Sequence, residues 1–144
     1  MDREISYAAA SKGSKASSFQ AKKPFGMQSR TADDENEVKK SLDLNEYLIG
    51  NKATTFFMRV NGDAMIGAGI FDGDMIVVDR SLKVSNGKVV IAMLNGEMLI
   101  RRFEKNYNKI RLLPDTNRLS PIDIDPSGAD FSIWGVVTYV IHVP

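Results

Sequence analysis

Two of the side-chain types that most often carry covalent, acid–base or metal chemistry are scarce in this sequence. Cysteine is absent and His142 is the single histidine. Thiolate nucleophiles, zinc–thiolate sites and histidine metal cages are therefore out of reach, and no metal or other cofactor is expected. Pattern concentrates instead in two adjoining segments, Val60-Asn61-Gly62-Asp63-Ala64-Met65-Ile66-Gly67-Ala68-Gly69-Ile70 and Phe71-Asp72-Gly73-Asp74-Met75-Ile76-Val77-Val78-Asp79. A third segment, Gly96-Glu97-Met98-Leu99-Ile100-Arg101-Arg102, follows further along. The glycines at 62, 67, 69 and 73 allow tight turns, although for Gly67 and Gly73 an ordinary loop role accounts equally well. Nineteen Lys and Arg against eighteen Asp and Glu leave a net charge of +1, far from the basic excess of a nucleic-acid binder, so sequence-specific DNA binding is not expected.

The elements that must position these residues are mostly strands. From Thr54 onward, short β-branched and aliphatic runs alternate with Gly and Asn/Asp turns, which predicts strands over 54–60, 75–79, 88–94, 97–103, 109–113 and 131–142. Asp72-Gly73, Asn86-Gly87 and Asn95-Gly96 supply turn residues tolerant of positive φ, and Asn95-Gly96 is the clearest hairpin. Residues 113–121 carry Pro114 and Pro121 without alternation, which predicts a surface loop leading to 121–124. Ser41–Gly50 has Leu44, Tyr47 and Leu48 at helical spacing, a polar residue able to cap its start and a terminal glycine, the marks of a short helix opening the domain. Trp134 is expected as a core or interface aromatic of the last strand.

At 144 residues, 43% hydrophobic and 26% charged, the chain suits one domain with an appendage. Residues 1–40 hold seven scattered large apolar side chains (Met1, Ile5, Tyr7, Phe19, Phe25, Met27 and Val38) among Ser, Lys and Ala, too few to offset the cost of ordering. They are expected to form a flexible N-terminal arm, with residues 41–144 as the β-rich domain. Within the arm, Phe25-Gly26-Met27 could act as an extended recognition segment that adds to a sheet edge. The start of the chain lacks the apolar stretch of a secretory signal, and no run approaches eighteen apolar residues, so the protein is expected to be cytoplasmic and without membrane association.

Taken together, the two glycine-bearing segments and the later strand resemble the UmuD branch of the LexA-like self-cleaving serine peptidases. In that family a G-D-S-M segment, a D-G-D turn, an apolar strand and a G-E-(x)3-K-(R/K) strand follow in this order. The resemblance covers residues 41 to 143, and Asp43-Leu44-Asn45 and Trp134-Gly135-Val136-Val137 fit it as well. A short arm with no helix-turn-helix pattern favours the UmuD branch over LexA-type repressors. The resemblance implies a mainly β fold of curved sheets and a homodimer. It also implies a Ser/Lys dyad that cuts the protein's own arm when a RecA filament on single-stranded DNA promotes it. The trimmed dimer would serve a Y-family DNA polymerase in SOS mutagenesis and translesion synthesis. In such a dyad a lysine desolvated within an apolar strand loses its proton and acts as base toward a serine that is otherwise a weak nucleophile.

This sequence departs from the family where that chemistry would happen. The nucleophile position of the family motif is Ala64, which has no atom able to attack a carbonyl. The general-base position is Arg101, and a guanidinium does not accept a proton at working pH. The resemblance places Gly62, Asp63 and Met65 around the cleft, where backbone N–H groups would face a scissile carbonyl. A buried Arg101 must either snorkel to solvent or pair with a carboxylate, for which Asp63 and Glu97 are the candidates, whereas Arg102 is expected to be solvated. The family cuts between a small residue and Gly, but the candidate cleavage site here is Phe25-Gly26, a poor match even though the arm is long enough to reach.

A chain altered only to trap a peptidase would lose its nucleophile alone. Loss of nucleophile, base and cut site together points to a UmuD-like accessory protein that keeps the fold and the partner surface without cutting. The alternative is a Ser/Lys self-cleaving peptidase carried here in an inactivated form.

Overall fold

The computed structural model describes residues 3–7 and 43–144. The predicted runs condense into strands β2 (Thr55–Val60), β3 (Met75–Asp79), β4 (Val89–Leu94), β5 (Glu97–Asn106), β6 (Lys109–Leu113), β7 (Ile122–Ile124) and β8 (Phe131–Ile141). Of these, β3 and β6 cover the expected residues, and β5 runs on to Asn106. Asn95 and Gly96 take φ of 51° and 87° between the closing pair Leu94 and Glu97, the doubly positive geometry that keeps a two-residue hairpin in step with strand twist. Helix α1 is shorter than expected, Leu44–Leu48. Asp43 caps it by accepting from Asn45 N at 3.1 Å, and it ends where Ile49 turns extended, so Gly50 is not its cap.

One strand lies where the sequence reading placed only an unstructured arm. Residues Ile5–Tyr7 form β1, paired antiparallel with β2 in the register Ile5 to Val60 and Tyr7 to Met58. Ile5 is 4% exposed, and burying such a side chain contributes about 2 kcal/mol, which offsets part of the cost of ordering the strand. Phe25 and Gly26, with the rest of residues 8–42, lie outside the described residues.

The strands form one antiparallel sheet in the order β1-β2-β3-β8-β4-β5-β6-β7. It is strongly curved: β1 heads the order and β5 is sixth, yet the two touch, Glu4 accepting from Ile100 N at 2.7 Å. Register shifts between Val77 and Val78 and between Ile91 and Ala92 help the bend, since bulges increase local twist. Alternation along β4 then feeds two cores. Ile91 joins Ile5, Met58, Ala64, Met65 and Ile100 in one cluster, while Val90 and Ala92 join Phe103, Leu112 and Val136 in the other. Trp134 packs against the first cluster as a partly buried aromatic. After β8, His142 Nδ1 meets the buried Asp74 carboxylate at 2.6 Å. Among the described residues no helix is long and apolar enough to cross a membrane.

Candidate functional site

The segment after β2 is built by backbone constraints. Gly62, at φ 105°, donates its N–H to Asp72 Oδ1 at 2.6 Å. Ala64 and Met65 then turn inward, 2% and 0% exposed, before a short 3-10 turn at Ile66–Ala68 that Gly69 closes in the left-handed region. Asp115, from the loop after β6, clamps this turn from outside: its N–H donates to Ala64 O at 2.7 Å and its carbonyl accepts from Gly67 N at 2.8 Å. A Cβ on Gly67 would sit 2.5 Å from Asp115 Oδ1 and 2.7 Å from its backbone oxygen. Gly67 is thus required by close approach, whereas Gly73, at φ 89° with open space around it, is required by its turn.

Arg101 sits on β5, 6% exposed. Its Nη1 donates to Glu4 Oε1 at 2.7 Å and to Ile100 O at 2.7 Å, while its buried Nε has no hydrogen-bond partner. Neither expected carboxylate is its partner. Asp63 pairs with Arg118 at 2.5 Å on the surface, and Glu97 is exposed at the start of β5. Glu4 was not offered because the arm was given a contact with the domain only around Phe25-Gly26-Met27. Arg102 is not simply solvated either. Its Nη1 donates to Gly87 O at 2.7 Å and its Nη2 pairs with Asp115 at 3.2 Å, linking β5 to the residue that clamps the Ala64 turn.

The structure places Ala64 and Met65 in one buried cluster, with Arg101 next along β5 from that cluster's Ile100. Glu4 reaches Arg101, and its neighbour Ile5 packs in the cluster that holds Ala64, Met65 and Ile100. Met65 is fully buried in that cluster and Gly62 is exposed. Two residues that contact the candidate site residues are not singled out by the sequence: Glu4, against Arg101, and Asp115, against Ala64. A signal existed for the first, since Glu4-Ile5-Ser6-Tyr7 alternates polar and apolar at the two-residue period of a strand. For Asp115, in an irregular loop, pattern carries no such signal.

Chemically, this arrangement offers a methyl group at 64, a cation at 101 and a strand edge that binds extended backbone. Among the described residues no group of three or more His, Cys, Asp or Glu is placed to hold a metal ion. A surface pocket of about 360 Å³ opens elsewhere, between Tyr47, Leu82, Lys88 and Tyr139, and none of the candidate residues lines it.

Comparison with known proteins points the same way as these residues. A family model described as Peptidase S24-like matches residues 19–138. Protein ImpA of Salmonella typhimurium is 38% identical over 110 residues, covering 73% of this chain and 70% of that protein. Protein MucA of Escherichia coli is 38% identical over 101 residues, covering 70% of this chain and 68% of that protein. The LexA repressor of Dechloromonas aromatica is 36% identical over 99 residues, 69% of this chain but only 49% of the repressor.

Proposed function

Since this chain belongs to the Peptidase S24-like family, we propose that it is a UmuD-like SOS mutagenesis accessory protein that retains the family's fold and partner surface but does not cut. In this reading Ala64 stands at the nucleophile position and Arg101 at the general-base position. It acts as a homodimer in the cytoplasm, bound to a Y-family DNA polymerase and recruited at RecA filaments.

The observation that carries the loss of cutting is the state of Arg101. A base must present a free lone pair to the nucleophile. Arg101 instead points an N–H at Glu4 in a short ion pair and has no lone pair to offer, while residue 64 is a methyl group with no proton to give up. Burial alone would favour the neutral form of a lysine at this position, but a carboxylate as close as Glu4 would favour the charged form, so a lysine base could work here only with Glu4 displaced.

Dimer formation is supported by β8. Its first half pairs with β4 as far as Val136 and its second half pairs with β3, and beyond Val136 no strand among the described residues takes up its other backbone edge. Tyr139, Val140 and Ile141 in that stretch, and Val143 just after it, are exposed apolar side chains. An apolar, half-paired strand of this kind suits pairing with a second copy.

The test is co-purification with a Y-family polymerase, followed by primer extension across a template lesion. Stable association and stimulated bypass by the uncut chain are expected. Absence of any complex with an SOS-induced polymerase from the same cell overturns the accessory role.

A further inference from the structure

The segment Arg3–Tyr7 is held the way a receptor holds an extended peptide. Its backbone adds to the free side of β2 and continues past it: Glu4 O accepts from Asn61 N at 2.6 Å, and Arg3 O accepts from Asn61 Nδ2 at 2.5 Å. Three of its side chains meet three different partners. Glu4 takes Arg101 and the Ile100 N–H, Ile5 fills the apolar cluster around Ala64 and Met65, and the Tyr7 ring stands edge-on to Trp134 with centroids 6.2 Å apart. Backbone pairing with alternate side-chain pockets is the mode by which strand addition combines affinity with specificity.

Arg101 makes this groove selective for an acid. Its side chain is 7% exposed and Glu4 is the one carboxylate in contact with it among the described residues, while its Nε is buried without a partner. With the strand seated, Arg101 is nearly buried and Glu4 is its counter-charge; without the strand the cation lines the groove with no carboxylate in contact among the described residues, a position that another anionic side chain would neutralise. Trp134 is itself fixed for stacking, with the Arg80 guanidinium over its ring at 4.3 Å and Phe56 at 5.1 Å, so the aromatic end of the groove is preformed as well.

We propose that the groove bounded by β2, Asn61, Arg101 and Trp134 is a binding site for an extended peptide of the form Glu–aliphatic–x–aromatic. Arg3–Tyr7 is its resident ligand, and a peptide of the same form supplied in trans displaces it. The site stands on the geometry of the groove alone and does not depend on the chain serving in the SOS response.

The test uses the full chain and a fluorescent decapeptide with the sequence of residues 1–10. Against the wild type, the peptide must compete with an intramolecular strand and binds weakly. In full-length Glu4→Lys, where Arg101 repels the resident strand, it binds at least about tenfold tighter, and a peptide carrying Gln in place of its Glu loses about tenfold on that same variant. Full-length Ile5→Ser, which weakens the resident strand without altering charge, gives the same order of affinities if Glu4→Lys fails to fold. Equal binding of both peptides to a folded variant, or no gain over wild type in either variant, overturns the proposal.

Discussion

Glu4 and Arg101 lie ninety-seven positions apart in the chain and meet at 2.7 Å beneath the first strand. Both are largely shielded, with side chains 18% and 7% exposed, so the pair is more than a surface contact. Removing one charge strands the other, whereas replacing both with groups of similar shape is far milder. Glu4→Gln, which keeps an acceptor for Ile100 N, is expected to lower stability by about 1–3 kcal/mol in urea unfolding. Glu4→Gln combined with Arg101→Met is expected to recover at least half of that loss. A double variant less stable than the single one contradicts the role assigned to the pair.

How much of this was readable beforehand depends on how local each cause is. The Asn95-Gly96 hairpin and the β3, β4 and β8 runs were legible because turn chemistry and β-branched runs act over a few residues. β1 was not. Three residues, Ile5-Ser6-Tyr7, have no intrinsic stability as a strand, and their order comes from the edge of β2 and the burial of Ile5. Arg101 was legible as a cation that had to find a carboxylate, yet its partner was supplied by sheet curvature, which brings the first strand in the order onto the sixth. Asp115 was hidden for the same reason, being a loop residue whose importance lies in what the fold brings against it.

The Gly67 turn gives a second prediction. A methyl group there would collide with the Asp115 backbone oxygen, which is itself fixed by bonds to the turn. Gly67→Ala is expected to cost about 2 kcal/mol or more in thermal unfolding. Gly128→Ala is the contrast, because its Cβ would meet only the Asp125 side chain at 3.1 Å, which is exposed and can shift, so a change within about 0.5 kcal/mol is expected. Equal losses at the two sites contradict the account of the clamp.

Asp79 supplies a pH dependence with a definite sign. Burial pushes its carboxyl upward, but hydrogen bonds from Ser81 N, Ser81 Oγ and Thr54 Oγ1 at 2.8, 2.7 and 2.9 Å outweigh it and hold the pKa below the ordinary 3.8. Between those two values the unfolded chain binds more protons, so stability rises with pH there. The contribution is complete above 3.8 and is lost as pH falls through the folded value. The unfolding free energy of wild type minus that of Asp79→Asn should stay level from about pH 7 to about pH 5 and shrink below 3.8. A difference unchanged on acidification contradicts this.

The central claim is that this chain keeps a peptidase fold without cutting, and intact mass tests it most directly. The purified chain is incubated for several hours with RecA filaments on single-stranded DNA at mildly alkaline pH, the condition that most favours a Ser/Lys base. The account predicts a single species at the full-length mass. A shortened product starting at one defined residue within the first forty, formed by the purified protein and lost when one of its own side chains is replaced, would contradict it.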